Sequence, residues 1–267
     1  MDQYTLKKLK NVLIEILDEF VRVCENNNLT YFLLGGTLLG AARHKGFIPW
    51  DDDIDVGMPR NDYEKFLDIY KKINDTNYYL VSHRSPDEEI NIYGSFSKLC
   101  KKNTLYSKNK NIGIFIDIFP FDKCTHIFGL LQFKLSKSLW RIYRLKNNLE
   151  ISSNNIIKLF IMKFICFFLS KHTIFSFYNK FCSLFNNFNT GYLIIFSGLY
   201  KFKNEIHKNN TVFPLTKLSF EGKLYSVPGN WDLYLKDMYG DYMELPPVEQ
   251  RLNHNPGFVF FNLNDDC

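Results

Sequence analysis

Residues 33–60 read LLGGTLLGAARHKGFIPWDDDIDVGMPR and combine a glycine pair with a dense group of aspartates. Gly35 and Gly36 follow residues 29–34, whose composition favours a strand. Glycines at such a position allow backbone amides to approach phosphate oxygens, and a helix that begins directly after them adds its dipole. We predict that helix over residues 37–43. Alone, a glycine pair is weak evidence, because strands often end in glycine.

Four aspartates fall within positions 51–55, next to a strand predicted over residues 54–58. Alternate residues of a strand share a face, so Asp53 and Asp55 are expected to project together. Burying two adjacent carboxylates without a cation is costly, and Mg²⁺ or Mn²⁺ is the simplest compensation. An inert acidic loop in solvent is the alternative. The alternation of acidic with apolar residues favours the metal site, whereas the role of Asp51 and Asp52 is less settled.

A third carboxylate lies in the apolar run IGIFIDIFPF, over which we predict a strand at residues 112–119. A glycine pair, an acid–apolar–acid strand and a lone acid on a later strand together resemble the constellation of the nucleotidyltransferase fold, with Asp117 as the third carboxylate. A structural turn residue before Pro120 is the alternative for Asp117. The predicted class is α/β (α+β), a mixed nucleotidyltransferase-like sheet flanked by helices.

Periodicity and chain breakers predict the remaining elements. Asn61 suits the N-cap of a helix over residues 62–73, with Glu64 at the third helical position of a capping box. Three prolines make the tail after residue 239 irregular. The other predicted elements are a helix over 1–20, strands over 93–98 and 220–227, and a helix over 231–238.

The centre of the chain is strongly basic. Residues 127–190 hold nine Lys or Arg and one acid, a balance of +8, whereas the whole chain carries +5. We predict a catalytic core over 1–126, a helical Phe- and Lys-rich insertion over 127–205, and a C-terminal segment over 206–267 that completes the active site. The insertion suits either an acceptor or an anionic membrane surface, or it is a solvated outer face. Without a recognised binding module, no nucleic-acid partner is expected.

Composition restricts the cellular context. With 46% hydrophobic and 23% charged residues the chain is not intrinsically disordered. Six scattered cysteines without a CxxC pair indicate free thiols in a reducing compartment. The charged N-terminal stretch is unlike an export signal, and no run of 18 uncharged apolar residues occurs. We therefore expect a cytoplasmic protein, with peripheral contact at the inner face of the membrane left open.

Two segments resemble motifs of one family. Residues 35–66, GGTLLGAARHKGFIPWDDDIDVGMPRNDYEKF, resemble the signature of the LicD family, and residues 239–254, YGDYMELPPVEQRLNH, resemble its closing motif. The family is similar to phosphocholine transferases of bacterial surface glycans and shares its core with fukutin-type ribitol-phosphate transferases. The resemblance implies transfer of phosphocholine, or another alcohol phosphate, from a CDP-alcohol such as CDP-choline. The implied acceptor is a sugar hydroxyl of a lipopolysaccharide, teichoic acid or capsule precursor, free or lipid-linked, and CMP leaves.

The resemblance also implies residue roles. Mg²⁺ or Mn²⁺ would bridge the donor phosphates, and an unliganded carboxylate, Asp117 or Asp52, would accept the hydroxyl proton. Arg43 would donate two hydrogen bonds to a phosphate, with Lys98 and Arg60 as weaker candidates for that contact. A surface arginine that pairs with an acid is the alternative for Arg43. The predicted catalytic residues are Asp53, Asp55, Asp117 and Arg43; the predicted donor-binding residues are Gly35, Gly36, Thr37, Arg43 and Lys98; the predicted metal ligands are Asp53, Asp55 and Asp117. Asp117 matches the family by placement only, and Lys98 is inferred from its charge.

Choline would be held by aromatic faces, because a quaternary ammonium cannot donate hydrogen bonds. The candidates are Trp50, Trp231, Tyr239 and Tyr242. His44 and His254 are interpreted as structural residues rather than general bases. Four alternatives stay open. Two are close to the main prediction: the same chemistry with another CDP-alcohol, CDP-ribitol or CDP-glycerol, and true nucleotidyl transfer. The other two are a Mn-dependent sugar-nucleotide glycosyltransferase and a non-catalytic membrane-associated binding module.

Overall fold

The computed structural model describes most of the chain, in seven stretches: residues 1–73, 77–83, 95–106, 112–147, 156–198, 200–251 and 259–262. The chain divides into two compact units. The first unit comprises Met1–Pro120 and Asn210–Cys267, and the second unit comprises Phe121–Asn209. The roles that the sequence assigns to its three segments stay predictions.

Nine strands occur in the described stretches. They are β1 Phe32–Leu33, β2 Asp55–Pro59, β3 Tyr78–Val81, β4 Ser97–Lys101, β5 Phe115–Cys124, β6 Tyr192–Ile194, β7 Ile206–Lys208, β8 Thr216–Phe220 and β9 Lys223–Val227. The sheet of the first unit has the order β1-β2-β5-β4-β3 and is mixed. Its antiparallel register pairs Lys98 of β4 with Asp117 of β5. The predicted α/β (α+β) class with a mixed sheet is confirmed.

Helices flank this sheet. The helices of the described residues are α1 Gln3–Asn26, α2 Gly35–His44, α3 Arg60–Tyr70, α4 His126–Lys146, α5 Ile156–Phe168, α6 Lys171–Cys182, α7 Phe202–Glu205, α8 Asn209–Val212 and α9 Trp231–Tyr239. A 3-10 turn spans Val248–Gln250. Helix α1 packs against β4, whereas α2 and α3 pack against β2. Helix α1 buries a stripe of apolar residues at the spacing expected of one helix face. The stripe includes Leu9, Leu13, Ile16, Leu17 and Phe20.

The predicted N-cap of the third helix is wrong. Helix α3 begins at Arg60, with Pro59 as its N-cap residue and without a side-chain cap. The fixed φ of proline lets β2 lead directly into the helix, which places Asn61 inside the first turn. Glu64 accepts a 3.1 Å hydrogen bond from the Arg60 guanidinium. The prediction that Arg60 contacts a phosphate stays untested.

Several other element boundaries differ from the predictions. The strand predicted over 29–34 is reduced to β1, and α2 begins two residues earlier than predicted. Residue 93, where another strand was predicted to begin, lies outside the described residues, and β4 starts at Ser97. Strand β5 pairs with β4 through Ile118 and with β6 from Asp122, so Pro120, which has no N–H, lies between the two ladders. Residues 220–227 include the hairpin turn between β8 and β9.

The second unit combines three longer helices, α4, α5 and α6, and the short helix α7 with a short antiparallel ladder. Its ladder pairs the end of β5 with β6, and β6 with β7. Helix α4 packs against α5 and α6, and the Gln132 amide donates a 2.8 Å hydrogen bond to the carbonyl of Phe181. No single helix in the described residues is long and apolar enough to cross a membrane. Residues Phe160–Phe168 and Lys171–Cys182 reach that threshold only together, across a bend of 109°.

Glu205 is a buried carboxylate in the second unit. It accepts a 2.8 Å hydrogen bond from the Tyr200 amide, and its carboxylate packs directly on Gly198. Burial raises the pKa of Glu205 to about 7, whereas burial lowers the pKa of the neighbouring His207 to about 4. The raised carboxyl pKa opposes folding as the pH increases through 7, and the lowered histidine pKa opposes folding as the pH falls below 6.5.

We expect Glu205→Gln to become more stable than the wild type as the pH rises. The glutamine keeps the acceptor for Tyr200 but cannot ionise, so the difference in the free energy of unfolding grows by about 1 kcal/mol between pH 6.5 and 8.5. Urea unfolding followed by circular dichroism measures it, and the titration of His207 cancels because both proteins contain it. Glu249→Gln, at an exposed position, is the control. If the free energy of unfolding changed with pH in the same way for the wild type and Glu205→Gln, the prediction would be contradicted.

Candidate active site

The glycine pair forms the first turn of α2, and carboxylates lie against it. Leu34 is the N-cap residue, and Gly35 has a φ of 57°, a conformation that favours glycine. A Cβ on Gly35 would lie 2.7 Å from Oδ2 of Asp55, and a Cβ on Gly36 would lie 2.8 Å from Oδ2 of Asp51. Both glycines therefore allow an aspartate carboxylate to lie against the first turn of α2, where a side chain would block it.

Backbone contacts fix Asp55 at the start of β2. Its amide donates a 2.8 Å hydrogen bond to Oγ1 of Thr37, and its carbonyl accepts a 3.2 Å bond from the Leu34 amide. The sequence predicts that Thr37 faces a donor phosphate. In the structure Thr37 is buried, and its hydroxyl holds the backbone of Asp55. Thr37 thus positions the carboxylate at the glycine pair.

Four aspartates converge at this point. Burial raises the pKa of Asp55 well above its usual value, and the charges of Asp53, Asp117 and Asp51 raise it further. The structure therefore brings together the three predicted ligands and adds Asp51. We call Asp51, Asp53, Asp55 and Asp117 the acidic cluster. Within the described part of the chain, no group of three or more His, Cys, Asp or Glu side chains has the spacing of a formed metal site.

Lys98 contributes a positive charge to the acidic cluster. Its ammonium forms an ion pair with Oδ1 of Asp117, directly across the β4–β5 register. The ammonium lies 3.6 Å from the centre of the Phe115 ring, and it lowers the pKa of Asp55 against the effect of the other aspartates. Lys98 is buried, so this charge is held within the site. Its predicted contact with a donor phosphate stays a prediction.

Two residues that the sequence analysis missed contact residues 48–55, which we call the acidic stretch. The Tyr106 hydroxyl lies 3.5 Å from Oδ2 of the buried Asp52, and burial together with the nearby aspartates raises the pKa of Tyr106. The Lys10 ammonium donates hydrogen bonds of 3.1 and 2.9 Å to the carbonyls of Ile48 and Pro49. Because these partners are far apart in the chain, no local sequence signal identifies either contact.

A cavity of about 440 Å³ lies next to the acidic stretch. Three of the four aromatic residues predicted to bind choline line it, and Trp231 is not among its lining residues. One of the three, Trp50, directly precedes Asp51 in the chain. The residues that line the cavity include Trp50, Tyr239, Tyr242, Asp241, Glu244 and Arg43. The cavity therefore combines aromatic rings with carboxylates.

Arg43 connects α2 to the closing motif, residues 239–254. Its Nη1 donates hydrogen bonds of 2.7 and 3.4 Å to the carbonyls of Tyr242 and Glu244. Its Nε donates a 3.0 Å bond to Nε2 of His44, and burial, together with the charges of Arg43 and Lys10, lowers the pKa of His44. His44 thus acts as a neutral acceptor in a structural contact. His254 lies outside the described residues.

Comparison with known proteins identifies the family. The profile of the LicD/FKTN/FKRP, nucleotidyltransferase domain family matches residues 28–170. Over 272 aligned positions the chain is 30% identical to the lipopolysaccharide cholinephosphotransferase LicD of Haemophilus influenzae, with 96% of this chain and 97% of that protein covered. The chain belongs to the LicD family. The resemblance noted in its two motifs is confirmed.

Two other relatives match shorter parts of this LicD-family chain. An uncharacterized protein of Rickettsia prowazekii is 31% identical over 111 residues, which is 42% of this chain and 39% of that protein. The human ribitol 5-phosphate transferase FKRP is 55% identical over 38 residues, which is 14% of this chain and 8% of that protein. The family match includes every residue of the acidic cluster.

Proposed function

We propose that this LicD-family enzyme transfers phosphocholine from CDP-choline to a sugar hydroxyl of a cell-surface glycan precursor, with release of CMP. The observation that carries the proposal is the acidic cluster lying against Gly35 and Gly36. Two relatives support it by their names, a lipopolysaccharide cholinephosphotransferase and a ribitol 5-phosphate transferase. Both names describe transfer of an alcohol phosphate.

We further propose that Asp53, Asp55 and Asp117 bind Mg²⁺ or Mn²⁺. Their carboxylate oxygens are hard ligands of the type that both ions prefer. The repulsion that raises the pKa of Asp55 supports a cation at this place, and the single charge of Lys98 offsets only part of it. A divalent ion bound here would neutralise charge on the donor diphosphate.

The reaction exchanges one phosphorus–oxygen bond for another. The acceptor hydroxyl oxygen forms a bond to the phosphorus of phosphocholine, and the bond from that phosphorus to the CMP oxygen breaks, with its electron pair leaving on CMP. The hydroxyl proton passes to Asp52, the predicted proton acceptor that is not one of the proposed metal ligands, and from there to solvent. Lys98 supplies positive charge beside Asp117, and Arg43 ties the closing motif to α2 through the carbonyl of Tyr242.

The cavity beside the acidic stretch supports choline as the alcohol. A quaternary ammonium is attracted to aromatic faces and carboxylates, and Tyr239, Tyr242 and Glu244 line the cavity together. The guanidinium of Arg251 lies 5.1 Å from the centre of the Trp50 ring, so a face of that ring already accommodates a cation. Ribitol and glycerol would instead require hydrogen-bonding groups around a neutral polyol.

The donor assay uses purified protein, Mg²⁺, a panel of glycan acceptors, and either CDP-choline, CDP-ribitol, CDP-glycerol or UDP-sugars. We expect CMP release with CDP-choline as the best donor. Release of UDP would identify a glycosyltransferase instead. The absence of any nucleotide product across the panel would favour the non-catalytic binding module.

The choline site is tested by Tyr239→Leu, with Tyr239→Phe as the matched control. Leucine removes the aromatic face, so we expect the dissociation constant for CDP-choline, measured by calorimetry, to rise about tenfold. The phenylalanine variant keeps the ring and is expected to bind like the wild type. CMP alone is expected to bind all three proteins equally. Equal losses in the leucine and phenylalanine variants would contradict an aromatic contact with the ammonium.

A further inference from the structure

Helix α5 presents large apolar side chains outward from the second unit. Each of the residues concerned is more than half exposed, and we call them the α5 surface. They are Phe160 (71%), Ile161 (52%), Phe164 (59%), Phe167 (82%) and Phe168 (66%). Soluble proteins rarely expose so many neighbouring aromatic residues without a partner, because each keeps apolar area in contact with water.

The spacing of the α5 surface places it on one side of the helix. Phe160, Phe164 and Phe167 recur at intervals of four and three residues, as one helix face requires. The opposite side of the helix packs into the core of the second unit, where Met162 is buried and Ile165 is partly buried. One face of helix α5 therefore packs in the core of the second unit, and the other apolar face, the α5 surface, is exposed to solvent.

The charge of the helices around the α5 surface is uniformly positive. Lys163 is exposed within it, and Lys180 is exposed on α6. The sequences of α4, α5 and α6 contain Lys and Arg but neither Asp nor Glu. A second copy of the chain would bring the same positive charge to the contact, whereas an anionic surface would complement it.

We propose that the α5 surface docks on an anionic phospholipid bilayer. Helix α5 has 13 residues. That length corresponds to about 20 Å, well short of the hydrocarbon thickness of a membrane. The helix would therefore lie in the plane of the interface, with its phenylalanines among the lipid chains and Lys163 at the headgroups. This inference does not depend on the proposed reaction.

Co-sedimentation of the full chain with lipid vesicles tests the proposal. We expect the wild type to bind vesicles that contain phosphatidylglycerol, and to bind pure phosphatidylcholine more weakly. Phe164→Ser with Phe167→Ser should reduce partitioning on phosphatidylglycerol vesicles by at least about tenfold. Lys163→Glu should weaken binding to the vesicles that contain phosphatidylglycerol and leave binding to pure phosphatidylcholine vesicles unchanged. The matched control, Leu224→Ser with Val248→Ser, removes two exposed apolar side chains of the first unit and should bind like the wild type.

Two measurements accompany the vesicle assay. Circular dichroism and urea unfolding should be the same for the serine variants and the wild type, because the replaced side chains are exposed. Sedimentation velocity without lipid should show a monomer. Failure of the wild type to bind anionic vesicles would overturn the proposal. A dimer that dissociates in the Phe164→Ser, Phe167→Ser variant would also overturn it, since a second copy would then cover the α5 surface.

Discussion

Asp55→Asn is expected to lower the rate of the proposed phosphocholine transfer by about 10³-fold or more, while the folded chain becomes more stable in the absence of metal. Asparagine keeps the size of the side chain and removes the charge that the proposed metal requires. The hydrogen bond to Thr37 is retained because the backbone amide of residue 55 donates it. The loss of activity would thus come from the missing carboxylate charge.

The gain in stability follows from the pKa of Asp55. Burial and the neighbouring aspartates raise this pKa above its unfolded value, so ionisation costs free energy in the folded state. The wild type therefore loses stability as the pH rises through the folded pKa, and Asp55→Asn does not. The two proteins should differ most above neutral pH in urea unfolding, and the difference should vanish near the unfolded pKa.

Metal binding is tested with the same pair of proteins. If Asp55 is a ligand, added Mg²⁺ or Mn²⁺ should raise the urea midpoint of the wild type and leave that of Asp55→Asn unchanged. Asp68→Asn, at an exposed position of α3, is the control and should behave like the wild type in every assay. Retained activity in Asp55→Asn, or equal stabilisation of both proteins by the metals, would contradict the assigned role.

The parts of the site that were predictable from sequence are local in the chain. The glycine pair and the acids of residues 51–55 lie on consecutive elements, so strand and helix signals place them near each other. The prediction that Asp117 joins them required only one further assumption, that a later apolar strand belongs to the same sheet. The predicted mixed sheet is confirmed, and the charges of Asp53 and Asp117 act on Asp55 in the structure.

The remaining contacts depend on register and on long-range packing. The pairing of Lys98 with Asp117 follows from the alignment of β4 and β5, which strand composition does not specify. Arg43 donates hydrogen bonds to the carbonyls of residues 242 and 244, about 200 positions away in the chain, so no local sequence signal indicates this contact. Its predicted contact with a phosphate stays a prediction. The wrong N-cap has a local cause, because Pro59 joins strand to helix without a polar cap.

Lys98→Met is expected to lower the free energy of unfolding by about 3 kcal/mol, because it removes the buried cation that is ion-paired with Asp117 and lowers the pKa of Asp55. Methionine keeps most of the length of the side chain and its contact with the ring of Phe115. The effect would therefore report the charge and not a cavity. Urea unfolding at neutral pH without added metal measures it.

A matched variant on the same strand separates a buried charge from an exposed one. Lys101→Met breaks the ion pair with Glu15 at the surface, where such pairs contribute about 1 kcal/mol or less. Combining Lys98→Met with Asp117→Asn removes both charges, so stability should return most of the way to that of the wild type. If the double variant were as unstable as Lys98→Met, repulsion within the acidic cluster would not be the cause. Recovery would instead assign to Lys98 the role of holding the proposed metal ligands together until a divalent ion replaces its charge.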